Sequence, residues 1–456
     1  MRKGSDRDEP RILIVGGVAG GASCATRARR LSEKAGITIF ERGPYVSFAN
    51  CGLPYYVGDI ITDEENLIVA TPELFRKRFN IDVRTLSKVT SIDREKQEIE
   101  VEDLRTSAVY REKYDALVLS PGATPVRPPL PGIDLPGIHS LRTIPDSREI
   151  REWMVRTDAR RAVIVGGGFI GLEMAENLVR RGISVTIVEM QNHVLPSFDY
   201  EMAVPLHHCL DAHGVFLQLE DAVTEFRQGE EHRLSVHTRS GGTFAADLVI
   251  LAIGVRPEAS LAGEAGLEIG DRGGIRVNER MQTSDNRIWA VGDAVEVRDF
   301  VTGEWTFVAL AGPANRQGRI AAGAILGRDV AFRGVQATAI CGVFGMTAAC
   351  TGLTENTLAR LRNAGKDIAY EKIYLYPGHH VGYYPGASQI AIKLIFSPQD
   401  GRVLGAQAVG QEGVDKRIDV ISTAIQNRAT VFDLEEAELC YAPQYGAAKD
   451  PVNLAG

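Results

Sequence analysis

At 456 residues, with 51 basic against 59 acidic side chains and a net charge of −8, the chain is too long for one core, and nothing in its charge indicates a nucleic-acid or anionic-membrane partner. A hydrophobic content of 44% and a charged content of 24% are those of a globular protein, for which length alone suggests about three domains. No apolar run reaches the roughly 18 residues of a membrane span, and six scattered cysteines show neither metal-ligand nor disulfide-framework spacing, so a reducing cytoplasm is expected.

Residues 1–10, MRKGSDRDEP, are polar and read as a disordered tail rather than a secretory leader. Residues 11–15 (RILIV) then form an apolar strand. It runs into Gly16-Gly17-Val18-Ala19-Gly20-Gly21, a small-residue helix through about Leu31, and a second strand at 37–41 that closes on Glu41. Glycines let the backbone approach a pyrophosphate at a helix N-terminus, and an acid roughly 20 residues further on binds ribose hydroxyls. Val18 stands where the usual pattern has its second glycine, so the match is imperfect.

A short loop after Glu41 leads to Ser47-Phe48-Ala49-Asn50-Cys51-Gly52-Leu53-Pro54-Tyr55-Tyr56. Pro54 suits the first turn of a helix, and a helix starting near Cys51 sets that sulfur at its positive end, which favours thiolate. Alone, the segment reads as a turn with an inert cysteine; its neighbours argue for chemistry. Residues 62–80 form a linker and a short amphipathic helix ending near Arg76, Lys77 and Arg78, and 114–125 form another strand and turn through Ser120 and Gly122. A proline-rich run from 125 to 136 marks a hinge.

The first pattern then recurs in full. Residues 161–165 lead into Gly166-Gly167-Gly168-Phe169-Ile170-Gly171, a helix to about Arg181, and a strand at 184–189 ending on Glu189. Two fingerprints argue for two dinucleotide sites. Glu189 suits an unphosphorylated ribose and favours NADH, while Arg180 and Arg181 leave NADPH open. Residues 247–257 close this unit through Gly254. A strand at 288–293 ends on Asp293, placed for a ribityl hydroxyl, and a helix from Ala311, with Gly and Pro in its first turn and no acid there, suits the negative charge of a reduced flavin. Beyond about 330 come strands, loops and two helices without nucleotide signals.

The two dinucleotide units, the SPGATP turn at 120–125, the AVGDA segment at 290–294 and the small C-terminal domain resemble the pyridine nucleotide–disulfide oxidoreductases over about residues 11–456. SFANCGLPYY at 47–56 is similar to their single-cysteine branch of coenzyme A-disulfide reductases, persulfide or polysulfide reductases, NADH peroxidases and NADH oxidases. Peroxidases and oxidases of this branch carry a histidine where this chain has Ala19, and a methyl group gives no acid–base help. The segments 382–386 (GYYPG) and 440–450 resemble the coenzyme A-disulfide and persulfide reductases, with Gln444 where proline is usual.

The resemblance implies an α/β fold with two Rossmann-like domains and an α+β dimerisation domain. FAD takes 11–130 and 256–330, NAD(P)H takes 131–255, and 331–456 forms the dimer. Implied FAD contacts are Gly16, Val18, Ala19, Gly20, Gly21, Glu41, Arg42, Asn50, Val89, Ser120, Gly122, Asp293, Ala311 and Tyr441. Those for NAD(P)H are Gly166, Gly168, Phe169 (an aromatic gate), Ile170, Gly171, Glu173, Glu189 and Gly254. Coenzyme A contacts are Ser23, Arg27, Arg30, Ser47, Asn50, Asn315, His379 and Lys449.

Cys51 is then the redox cysteine that forms a mixed disulfide with coenzyme A, assisted by Tyr383 and Tyr441, the latter reaching the other subunit of a homodimer. No metal, nucleic acid or membrane enters this reading. The other five cysteines are expected to be structural. The alternatives are an NADH oxidase or peroxidase using a Cys51 sulfenic acid, and a redox-sensing flavoprotein without turnover. Related persulfide reductases often continue into a rhodanese domain. This chain stops about where that linker would begin, leaving a single-module enzyme and a shortened chain as readings.

Overall fold

Arg11–Val15 is the middle strand of a five-stranded parallel sheet. Gly36–Glu41 and Asp82–Thr85 lie on one side of it, Ala116–Leu119 and Ile288–Ala290 on the other. The computed structural model describes residues 10–229 and 233–456, so all of the tail expected at 1–10 except Pro10 lies outside the described residues. Ile12, Leu13, Ile14, Leu117, Val118 and Ala290 are buried, because a parallel sheet is covered on both faces and its strands read as continuous apolar runs.

The chain forms two compact units. The first takes residues up to 53, 63–126 and 255–335, and holds this sheet. It also holds an antiparallel sheet of Ser87–Asp93, Glu98–Asp103 and Val109–Lys113. The helices Ala19–Leu31 and Ala311–Ile325 pack together through small residues: a Cβ on Gly318 would lie 2.3 Å from the Gly20 carbonyl oxygen.

The second unit takes 54–62, 127–254 and 336–456. It repeats the parallel design, ordered Phe216–Gln218, Ser184–Val188, Arg161–Val165, Leu248–Leu251, Ile138–Ser140. It also holds an antiparallel sheet ordered Ala339–Val343, Met346–Gly352, Val403–Gly410, Ile390–Phe396, Glu371–Leu375. Two helices were expected beyond 330. The helices Glu355–Asn363 and Val414–Gln426 are joined by two five-residue ones, Val431–Glu435 and Pro451–Ala455, whose Thr430 and Asp450 capping boxes are local signals the expectation passed over. Among the described residues no helix is long and apolar enough to cross a membrane.

Thr71, Thr143, Thr354, Thr430 and Asp450 accept a backbone N–H at the start of their helices, each bond worth about 1 kcal/mol. The helices beginning at Ala19, Phe169 and Ala311 have no side-chain cap and no acid in the first turn. Their first N–H groups find no side-chain acceptor, the arrangement in which a helix N-terminus can take an anion.

Candidate functional site

The cysteine segment is anchored to the first glycine turn. Ser47 N donates to the Gly17 carbonyl at 2.9 Å, and the Ser47 carbonyl accepts from Val69 N at 2.8 Å. Ser47 sits at φ 48°, a left-handed conformation that a serine holds only when its surroundings impose it. Ala49 N donates to the Leu67 carbonyl, and a 3-10 turn at Asn50–Gly52 leads into the helix Leu53–Val57. Cys51 is exposed at that turn, and Pro54 is the second residue of the helix, as the first-turn expectation required.

The glycine turn fits a dinucleotide. Gly16 lies at φ +88°, and a Cβ there would stand 2.1 Å from the Ser120 carbonyl oxygen; one on Gly21 would stand 1.9 Å from that of Gly16. The chain therefore folds back on itself too closely for a side chain at either position. Val18 is the N-cap and Ala19 the first helical residue. Glu41 accepts from Gly17 N at 2.9 Å and Gly43 N at 2.8 Å. Burial pushes its carboxyl up from the usual range, against those two bonds. It thus shapes the turn from inside, a role that spacing alone did not reveal.

Other residues expected around a flavin lie in the same unit. Ser120 and Gly122 (φ +78°) follow the strand Ala116–Leu119, Val89 is buried in the strand Ser87–Asp93, Arg42 follows Glu41, and Ala311 opens its uncapped helix. The 288–293 strand ends at Ala290, so Asp293 lies beyond it, past Gly292 (φ +81°). Gln317, which the sequence did not single out, fixes that turn by accepting from Gly292 N at 2.7 Å.

Two residues expected at coenzyme A meet across 292 positions: Ser23 Oγ donates to Asn315 Oδ1, and Asn315 Nδ2 donates to the Ala311 carbonyl. On the same helix as Ser23, the Arg30 guanidinium lies 5.8 Å from the Phe79 ring centroid. Arg29 instead spends its donors on the carbonyls of Phe79, Ser32, Glu33, Ala35 and Asn80.

The second turn repeats the first. Gly166 lies at φ +103° against the Ala252 carbonyl, Gly171 closes onto Gly166, and Glu189 accepts from Gly167 N at 2.7 Å and Gln191 N at 2.8 Å. A Cβ on Gly168 or on Gly254 would meet nothing within 4 Å, the open space a pyrophosphate and ribose need. Phe169 and Ile170 open the helix Phe169–Arg180; Phe169 is partly exposed and is no core residue. Arg180 pairs with Glu176 at 2.8 Å, and Arg181 pairs with Asp59.

Glu173, on the same helix, accepts from the Tyr55 hydroxyl at 3.3 Å. Burial lifts its carboxyl to about 7, Tyr55 opposing and Glu176 adding to the lift. Asp59 is held by Arg151 at 2.5 Å as well as by Arg181, and Arg151 stacks 4.4 Å from the Tyr56 ring centroid. These contacts bind the 54–59 segment to the helices Ile144–Arg156 and Phe169–Arg180; of the residues that make them, the sequence had not singled out Asp59 and Arg151.

In the C-terminal part, Tyr383 (75% exposed) and Tyr441 (46% exposed) share a hydroxyl–hydroxyl bond of 2.8 Å within one chain, which raises the Tyr441 phenol. His379 lies in the same loop region as Tyr383, and Lys449 follows Tyr441. The carboxylates of Asp199, Glu201 and Glu355 converge within 4.8 Å of one another, and the buried Lys393 ammonium fills their centre at 2.5–2.6 Å.

The other thiols differ from Cys51. Burial drives Cys24 and Cys350 up to about 12 and raises Cys341 and Cys209 as well. Cys440 is exposed, unlike what a structural role implies.

Two dinucleotide-shaped turns, one with a surface thiol tied to it, define a flavin- and pyridine-nucleotide-dependent oxidoreductase. Residues 10–318 match the family model for pyridine nucleotide-disulphide oxidoreductases and residues 338–450 match the dimerisation domain of the same proteins. The chain belongs to the pyridine nucleotide-disulphide oxidoreductase family. It is 34% identical over 452 residues to the coenzyme A disulfide reductase of Staphylococcus epidermidis, covering 98% of this chain and 99% of that protein. It is 36% identical to a protein of Methanocaldococcus jannaschii named NADH oxidase, covering 98% and 97%. Among solved structures, reduced CoADR-RHD of Bacillus anthracis is 49% identical with a TM-score of 0.95, over 98% of this chain and 79% of that one. An NAD-dependent persulfide reductase from A. fulgidus is 38% identical with a TM-score of 0.93, over 98% and 82%.

Proposed function

We propose that this protein is an NADH-dependent, FAD-containing reductase of coenzyme A disulfide and related persulfides, working through Cys51 as a homodimer. The observation that carries this reading is the stitching of the exposed Cys51 segment, through Ser47 and Gly17, to a glycine turn shaped for a dinucleotide. The names of the staphylococcal and A. fulgidus relatives support the substrate class. NADH is favoured because Glu189 accepts from the second glycine turn, where an acid opposes a 2′-phosphate; the nearby Arg180 and Arg181 pair with Glu176 and Asp59.

In the first step the Cys51 thiolate attacks one sulfur of the disulfide. The Cys51–S–S–coenzyme A bond forms, the original S–S bond breaks, and one coenzyme A thiolate leaves. Tyr383 and Tyr441, a hydrogen-bonded pair, give the departing sulfur a proton. Because the two hydroxyls are joined within one chain, they enter a site together; we assign both, and not Tyr441 alone, to the partner subunit's Cys51. The first glycine turn with Glu41, Asp293 and the uncapped helix at Ala311 would hold FAD, which would supply the hydride-to-thiol chemistry linking NADH to the mixed disulfide. Cys51 returns as thiolate, and the sum is NADH, one proton and one disulfide giving NAD+ and two thiols. Ser23, Arg27, Arg30, Ser47, Asn50 and Asn315 hold coenzyme A together with the partner subunit's His379 and the partner subunit's Lys449, the cations meeting its phosphates.

The M. jannaschii relative's name favours a second reading, NADH oxidation by oxygen. Ala19 opposes it, offering no acid or base at the first residue of its helix. Steady-state NADH consumption with coenzyme A disulfide, coenzyme A persulfide, peroxide and oxygen side by side tests the two. Thiol release matching NADH loss is the expected result; rapid oxygen or peroxide turnover without thiol product rejects the proposal.

A further inference from the structure

The loop bearing His379 and Tyr383 and the segment from Tyr441 to Lys449 lie 58 positions apart at their tyrosines and meet in space. Val381 N donates to the Gly446 carbonyl at 3.0 Å, and the two tyrosine hydroxyls share their bond. Behind both stands Arg417, on the helix Val414–Gln426, 1% exposed. Its Nη2 donates to the His379 carbonyl at 2.7 Å and to Asp450 Oδ2 at 2.9 Å, and its Nε donates to Asp450 Oδ1 at 3.2 Å. Asp450 is itself buried, and it caps the helix Pro451–Ala455 by accepting from Val452 N at 3.1 Å. One planar guanidinium therefore spans the end of one segment and the start of the other.

A buried ion pair is a poor way to gain stability, since apolar residues of the same volume often serve as well. What a guanidinium fork adds is fixed direction, because its donors match a carboxylate in one plane. The ring of His379 is fixed too: its Nδ1 lies 3.0 Å from both the N and the Oγ of Ser388 and 3.2 Å from the Ser388 carbonyl oxygen. Both segments are thus held at their ends while their tyrosines remain exposed.

We infer that Arg417 is a positioning residue for the disulfide half of the reaction: through its fork to Asp450 and its bond to the His379 carbonyl it sets the spacing of the Tyr383 loop and the Tyr441–Lys449 segment. This rests on the function proposed above, and Arg417 touches no reacting atom in it.

The test uses the full-length flavin-loaded protein carrying Arg417→Met or Arg417→Lys. Three quantities are read: KM and kcat for coenzyme A disulfide, NADH-driven ferricyanide reduction, and hydrogen exchange of 379–388 and 441–449. In Arg417→Met, KM is expected to rise about tenfold while ferricyanide reduction stays within about twofold, a split that general loss of fold does not produce. Exchange is expected to quicken in those two segments. Arg417→Lys, which keeps the charge without the fork, is expected to fold and to show an intermediate KM, so it decides the matter if the methionine variant misfolds. A KM within about twofold of wild type in both variants overturns the inference, as does a parallel fall of both activities. Should the wild-type protein not turn over coenzyme A disulfide, the proposed function fails separately. The exchange arm still decides: unchanged exchange in the two segments refutes the clamp, and quickened exchange confined to them upholds it.

Discussion

The Tyr55 hydroxyl donates to Glu173 Oε1 at 3.3 Å, tying the segment that follows Cys51 to the helix that follows the second glycine turn. Burial lifts that carboxyl into the neutral range.

Glu173 is lifted from 4.5 to about 7, chiefly by burial. A carboxyl that binds its proton more tightly in the folded state contributes stability in full below its unfolded value, and that contribution disappears as pH rises through about 7. Glu173→Gln cannot ionise. Relative to wild type it should gain stability between pH 5 and pH 8.5, on the order of 2–3 kcal/mol at most. Urea midpoints at the two pH values measure this; parallel pH dependence in both proteins would show that the lift is absent.

Cys51→Ser should lose coenzyme A disulfide reduction by at least about a thousandfold while the flavin is still bleached by NADH. Anaerobic stopped-flow absorbance and thiol release separate the two halves. Retained thiol production would remove Cys51 from the reaction.

Gly16→Ala and Gly168→Ala should differ although both alter a glycine turn. At Gly16 the new methyl meets a carbonyl oxygen at 2.1 Å in a left-handed backbone; at Gly168 it meets nothing within 4 Å and φ is −76°. Gly16→Ala is expected to purify with little flavin and to be destabilised by several kcal/mol, of the order that strain of this kind costs. Gly168→Ala is expected to keep its flavin and fold, and to raise KM for NADH by filling the space reserved for the pyrophosphate. Flavin content and NADH kinetics on the purified variants distinguish them.

Changing nicotinamide preference should need two substitutions. Glu189→Ala removes the acid but also the acceptor of Gly167 N and Gln191 N, so alone it should weaken NADH without helping NADPH. Adding Met190→Arg at an exposed neighbour supplies a cation for the 2′-phosphate. The ratio of kcat/KM for NADPH over NADH should rise by about a hundredfold in the double variant. An unchanged ratio would place the ribose elsewhere.

Spacing along the chain determined the two glycine turns, the acids that follow them, the strands on either side and the isolation of Cys51, because strand, turn and helix N-terminus are neighbours in sequence and each leaves a local mark. It did not determine what those acids do first: Glu41 and Glu189 each bind the amide of the glycine turn they follow, a contact seen only when the strands lie side by side. Nor could it say that Arg180 and Arg181 are engaged by Glu176 and Asp59, or that Ser23 meets Asn315 and Tyr383 meets Tyr441. Those partners stand on separate elements, and only the packing of helix on helix and loop on loop sets the distance between them.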